Sequence, residues 1–178
     1  MTTPDYKDSY LPTSLFRETA QICVVTRDLD ALVRNYADRL GIGPWWVQHY
    51  DAPLLSGRTY KGKPANYTMR LALAWTGQLN WEIIQPFEGP SIYHDFLEAH
   101  GEGIHHVGVM LKDMDMTWPE IYRRFTARGF EPVQEGNWAG VQFAYFETET
   151  LCKTTVEVID RPKAWVRPEP LYWYPPKP

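Results

Sequence analysis

Apolar and polar positions alternate with period two in short stretches and with a helical period in two longer ones, which predicts strands interleaved with helices. Residues 18–26 read as a strand with one buried face. Asp28 or Asp30 then caps a helix running to Leu40, with Leu32, Val33, Tyr36 and Leu40 on one face and Gly41 as its stop. Residues 45–50 form a second strand, and residues 51–66 a loop rich in Pro, Gly and Lys. Residues 67–75 and 79–85 are two strands joined by a turn at Thr76-Gly77-Gln78. After Pro86 a short helix over residues 91–100, with Ser91 as N-cap, leads into a second series. That series has a strand over 104–111, a helix over 115–128 ended by Gly129, and strands over 130–134, 141–147 and 154–160.

The second series is a copy of the first. Gln21-Ile22-Cys23-Val24-Val25-Thr26-Arg27-Asp28-Leu29-Asp30 aligns without gaps on His106-Val107-Gly108-Val109-Met110-Leu111-Lys112-Asp113-Met114-Asp115, an offset of 106 − 21 = 85. Trp81-Glu82-Ile83-Ile84 matches Val156-Glu157-Val158-Ile159 at an offset of 157 − 82 = 75. Each copy reads β-α-β-β-β, an α+β pattern. The expected organisation is an arm over 1–17, a first module over 18–86 and a linker helix over 87–101, then a second module over 102–160 and a Pro- and aromatic-rich tail over 161–178. The tail cannot be a regular helix, so its aromatics are expected to pack on the domain or on a partner subunit.

Composition narrows the class. The 178 residues suffice for one domain or two halves sharing a core, and 44% hydrophobic with 15% aromatic residues argue against disorder. A net charge of −4 without a basic run gives no support for nucleic-acid binding, and no apolar run is long enough to span a membrane. The N-terminus lacks the apolar core of a signal peptide, and Cys23 and Cys152 read as buried free thiols of a cytoplasmic protein.

The repeat singles out four positions. Gln21 and His106 open the first strand of each copy, and Glu82 and Glu157 lie in the last. A pseudo-two-fold axis makes the four converge among apolar neighbours, where unpaired charge is costly. Two carboxylates placed together repel unless a cation lies between them. One imidazole, two carboxylates and an amide oxygen suit Zn²⁺ best among divalent ions, with Co, Ni, Mn or Fe as alternatives. His105 should point away from His106 along the strand and is read as structural or as supporting the site. His94 and His100 belong to the surface of the linker helix. His49, Trp46, Tyr67, Trp75, Phe143 and Tyr145 are candidates for lining a substrate pocket, beside the plainer reading that aromatics at strand spacing are core.

On these residues the chain resembles the vicinal oxygen chelate superfamily, which includes glyoxalase I, methylmalonyl-CoA epimerase, extradiol dioxygenases and bleomycin-resistance proteins. The resemblance spans about residues 18–160 and implies tandem βαβββ modules forming a curved mixed sheet around a central cavity. It also implies metal ligation by Gln21, Glu82, His106 and Glu157, the set of the human-type zinc glyoxalase I. Gly89-Pro90-Ser91 and the run from Phe96 to His106 look more like the epimerase branch, whose first ligand is usually His and whose ligand at the Glu82 position is usually Gln. Val25 and Pro86 stand where glutathione-dependent glyoxalases carry Arg and Asn, which argues against glutathione.

The implied activity is isomerase, epimerase or lyase chemistry beside a carbonyl, with Glu157 and then Glu82 as the proton-transferring carboxylates. The implied substrate is a fairly apolar carbonyl compound or a thioester, with Lys61 and Lys63 in a loop that would meet phosphates, and the implied assembly a homodimer. Two alternatives stay open: an extradiol-type dioxygenase, and a non-catalytic resistance-type binding protein.

Overall fold

A computed structural model describes residues 11, 13–114 and 116–176, so most of the expected N-terminal arm and the expected helix start at Asp115 lie outside the described residues. The first series comprises β1 (Gln21–Val25), α1 (Leu29–Leu40), β2 (Trp45–Tyr50), β5 (Met69–Thr76) and β6 (Leu79–Pro86), with β3 (Leu55–Tyr60) and β4 (Lys63–Pro64) inserted after β2. Then come α2 (Ile92–Ala99), β7 (Gly103–Met110), a 3-10 turn over Leu111–Asp113 and α3 (Trp118–Thr126). β8 (Pro132–Trp138), β9 (Val141–Phe146), α4 (Glu149–Cys152), β10 (Thr155–Asp160) and β11 (Tyr172–Tyr174) complete the chain. All strands join one curved, unclosed mixed sheet in the order β11-β2-β5-β6-β1-β7-β10-β9-β8-β3-β4.

The two copies meet at the centre of this sheet. β1 runs antiparallel to β7, while β1 pairs parallel with β6 and β7 parallel with β10. Each half is covered outside by its own helix. Leu29 and Val33 of α1 pack with Trp45, Val47 and Ile83, and Ile121 and Phe125 of α3 pack with Phe146 and Val158. The inner face carries the aromatic cluster that includes Trp46, Leu71, Trp138, Phe143 and Tyr145. Period-two alternation thus sends one set of each strand's side chains to a helix and the other to the concave side.

Local chemistry explains the boundaries. Asp28, not Asp30, caps α1 by accepting from the Ala31 amide, and Gly41 ends the helix at φ +68°. α3 is shorter than the expected 115–128 because its N-cap is Thr117, whose amide and hydroxyl both donate to the Glu120 carboxylate, with Pro119 in the first turn.

Two further differences come from long-range pairing. The expected loop over 51–66 contains β3 and β4, held because β3 pairs with β8. β8 itself runs on through Gly136, where a Cβ would lie 2.5 Å from the Phe143 ring and 2.7 Å from the Tyr67 hydroxyl. That glycine marks a close approach inside a strand rather than a strand end. The tail packs on its own chain, since β11 adds to the edge of β2 with Tyr172 opposite Val47. Cys23 is buried, but Cys152 on the short α4 is exposed, which corrects the reading of both thiols as buried.

Candidate functional site

Strand register builds the site. Across the central four strands, Glu82, Cys23, His106 and Thr155 form one transverse row. Asn80, Gln21, Gly108 and Glu157 form the next. The pseudo-two-fold exchanges the rows: Cys23 answers Gly108 (108 − 23 = 85) and Asn80 answers Thr155 (155 − 80 = 75). Neighbouring strands lie about 4.8 Å apart, so side chains in adjacent rows on one face fall within reach of each other.

The four predicted residues come together. Gln21 Nε2 donates to Glu82 Oε2 at 2.8 Å and to Glu157 Oε2 at 3.1 Å. His106 Nε2 lies 3.1 Å from Glu82 Oε2 and 3.3 Å from Glu157 Oε2. All four are buried. Burial alone would lower the pKa of His106, but its hydrogen bonds to Glu157 and Glu82 prevail and raise it to about 9. Burial raises the pKa of Glu82, opposed by the hydrogen bond from His106 and reinforced by the charge of Glu157. One imidazolium proton therefore serves two carboxylates in a closed space.

The strand that carries His106 has a bulge. Cys23 faces His106 and Val24 faces Ile104, so His105 is the extra residue. His105 was expected to point to the opposite side of the strand. The bulge instead buries it next to its neighbour, with Nδ1 of His105 2.8 Å from Nδ1 of His106. Burial and the nearby charge of His106 push the His105 pKa well down, so His105 is neutral and accepts the Nδ1 proton of His106. Its ring is wedged edge-on against Tyr93 and Phe96 of the α2 segment. The second ring nitrogen of His106 thus has a fixed partner, which leaves Nε2 aimed at the carboxylates.

Two members of the cluster escaped the sequence reading. Cys23 lies two residues from Gln21 on the same face of β1, and its Sγ forms with Glu82 and His106 a set of donors within 4.8 Å of one another. Burial and Glu82 push its thiol pKa up, so it is a neutral thiol here. Gly108 is the other. A Cβ there would stand 2.8 Å from Cβ of Gln21 and 3.3 Å from Oε2 of Glu157, so the missing side chain makes the room in which the cluster fits.

The cluster adjoins a cavity of about 780 Å³ that Gln21, Glu82 and Glu157 help to line. Of the sequence candidates, Trp75, Phe143 and Tyr145 line this cavity, with Tyr50, Trp138 and Trp165 beside them. Trp46, Tyr67 and His49 do not. Trp46 is covered by the tail, donating its indole N–H to the Pro168 carbonyl at 3.1 Å. Tyr67 is spent beside Gly136, where its hydroxyl donates to the Glu135 carbonyl at 2.6 Å. His49 sits on the face of β2 opposite Tyr50, exposed beside Phe87. Strand parity sends Tyr50 inward and His49 out. Arg17, Lys112, Arg161 and Arg167 border the cavity together with Glu18 and Asp113.

The donor set fits a divalent cation. Two buried carboxylate oxygens approach a single imidazole nitrogen, and a Gln amide turned end for end would offer oxygen where it now offers N–H. A model of the Glyoxalase/Bleomycin resistance protein/Dioxygenase superfamily matches residues 20–145. The chain belongs to that superfamily. Among solved structures, it is similar to methylmalonyl-CoA epimerase from Mycobacterium tuberculosis, at 18% identity and a TM-score of 0.59 over 86% of this chain and 95% of that one. A hypothetical protein from Bacillus halodurans matches at 17% identity and a TM-score of 0.60, over 84% of this chain and 98% of that one. A mutant 4-hydroxymandelate synthase from Streptomyces coelicolor matches at 16% identity and a TM-score of 0.53, over 88% of this chain but 40% of that one. These likenesses establish the fold. No curated protein sequence matches. Among the described residues no helix is long and apolar enough to cross a membrane.

Proposed function

We propose that the protein is a metal-dependent isomerase or epimerase that removes a proton from carbon beside a carbonyl and returns one. The observation that carries this reading is the approach of Glu82 and Glu157 to His106 Nε2, 3.1 and 3.3 Å away, beside a cavity otherwise rich in aromatic side chains. Gln21, Glu82, His106 and Glu157 would hold the ion, with Cys23 as a neighbouring donor. When bound, a divalent cation, Zn²⁺ foremost, supplies Lewis-acid polarisation of the substrate carbonyl.

The chain's own residues supply the proton transfers. Glu157 would take the proton from one side of the substrate while Glu82, starting protonated, would deliver its own proton from the other. The two carboxylates are left with their protonation states exchanged, as befits groups related by the pseudo-two-fold. In the metal-free protein burial raises the proton affinity of Glu82. His105 fixes the ring of His106, and the cavity's aromatic side chains keep water from the reacting carbon. The substrate is a fairly apolar carbonyl compound or a thioester, and the homodimer expected for the family belongs to the same proposal. Ring cleavage with O₂ calls for two imidazoles and one carboxylate on iron. Gln21 in place of a second histidine disfavours it.

Proton abstraction is measurable without knowing the natural substrate. Metal-loaded protein in D₂O should exchange the C–H beside the carbonyl in one or more of a panel of 2-branched acyl thioesters, cyclic ketones and 2-oxo hemithioacetals, read by NMR. Glu157→Gln should slow that exchange by about 10²- to 10⁴-fold, the usual contribution of a general base. No exchange anywhere in the panel, or full exchange in Glu157→Gln, would count against the reading.

A further inference from the structure

Arg167 stands in the cavity wall and comes from a segment beyond the family-matched residues 20–145. Its guanidinium lies 4.5 Å from the ring centroid of Trp75, 5.5 Å from Trp46 and 5.9 Å from Trp165. Stacking satisfies the faces of a guanidinium but leaves its in-plane N–H donors for an oxygen ligand. Among the described residues no carboxylate pairs with Arg167, whereas the partly buried Arg70 is held by Asp30 at 2.8 Å. The tail that carries Arg167 is fixed on both sides of that residue. Trp165 Nε1 donates to the Ala139 carbonyl at 2.9 Å, Gln48 Nε2 to the Glu169 carbonyl at 2.7 Å, and β11 continues the sheet.

The cavity lining carries charge of both signs, negative from Glu82 and Glu157 and positive from Arg167. Arg17, Lys112, Arg161, Glu18 and Asp113 also border it. Aromatic surfaces of Tyr50, Trp75, Trp138 and Phe143 lie in the same lining. We propose that Arg167 anchors a carboxylate of the substrate, so that the substrate is a carboxylic acid with a flat apolar body. A planar carboxylate matches the guanidinium fork, and an aromatic cradle desolvates the pair without competing for the donors. The proposal deepens the isomerase reading, on which it rests only for the position of the reacting carbon. A plainer role for Arg167, pinning the tail by stacking, would make no distinction between an acid and its amide.

The test is calorimetric titration of chelator-treated protein with trans-cinnamate and with trans-cinnamamide, which share shape and differ in charge. Wild type should bind the acid about 10- to 100-fold tighter than the amide, the range of a charge-assisted hydrogen-bonded pair. Arg167→Gln should bring the two affinities together, and Arg167→Lys should restore part of the preference. Thermal melting of each variant checks folding, because loss of a structural peg lowers the melting temperature without changing the acid-to-amide ratio. Equal binding by wild type, binding of neither compound, or a preference that survives in Arg167→Gln would overturn the proposal. Since chelation removes any metal, this result and the D₂O exchange result can fail independently.

Discussion

At the residue scale the site depends on His106. Its pKa is raised to about 9 in the folded protein by Glu157 and Glu82, against an unfolded value of about 6.5. A raised histidine stabilises the fold fully below pH 6.5 and loses that contribution as pH rises through about 9. The raised pKa of Glu82 acts in the same sense. Metal-free protein should therefore lose on the order of 3 kcal/mol between pH 6.5 and 9 in urea titrations, with His106→Gln flattening the profile. A profile that stays flat or rises in the wild type would contradict the shared-proton cluster. Metal affinity should increase over the same interval, because protons and cations compete for the same donors. Gln21, Glu82, His106 and Glu157 were legible in sequence only through the repeat, as no single one carries a motif. Cys23 was not, because its symmetry mate is Gly108, which has no side chain to compare.

At the scale of elements, what sequence could not show is mostly register. The adjacent His105 and His106 interrupt the alternation of Gly103-Ile104-His105-His106-Val107, but nothing local says that the strand bulges there. Only the pairing with β1 reveals that two histidines share the core. β3 was hidden in a Pro- and Gly-rich stretch because its stability comes from pairing with β8, a long-range partner. Helix ends, by contrast, were half-visible: Gly41 stopped α1 as expected, while Pro119 and the Thr117–Glu120 pair moved the start of α3. Gly108 offers the sharpest test at this scale. Gly108→Val would press on Gln21 and Glu157 and should cost about 1–3 kcal/mol of stability by urea unfolding, along with a loosened cluster. Gly103→Val, on the same strand with open space where its Cβ would go, should fold with little loss. Equal effects at both positions would mean that the room beside Gln21 is not needed.

At the scale of the molecule, the duplication is the organising fact. Two helix-backed half-sheets joined through β1 and β7 bring symmetric residues to one place and leave a concave face for a ligand. The two β-α-β-β-β series were readable from periodicity and offset, the curved sheet only through the family resemblance, and the tail's packing was foreseeable from its aromatics. Its contribution of Arg161, Trp165 and Arg167 to the cavity lining was not, because nothing in a Pro-rich segment says which surface it crosses. The tail thus supplies aromatic and cationic surface to the cavity from outside the matched region, as β10 supplies Glu157, while Glu82 lies within that region.

The converging quartet is proposed to bind a metal ion. Elemental mass spectrometry of protein purified without chelator tests it most directly, with His106→Ala prepared in parallel. Near-stoichiometric zinc, cobalt, nickel or manganese in the wild type, lost in the variant, is the predicted result. Absence of metal from both proteins, even after reconstitution, would contradict it.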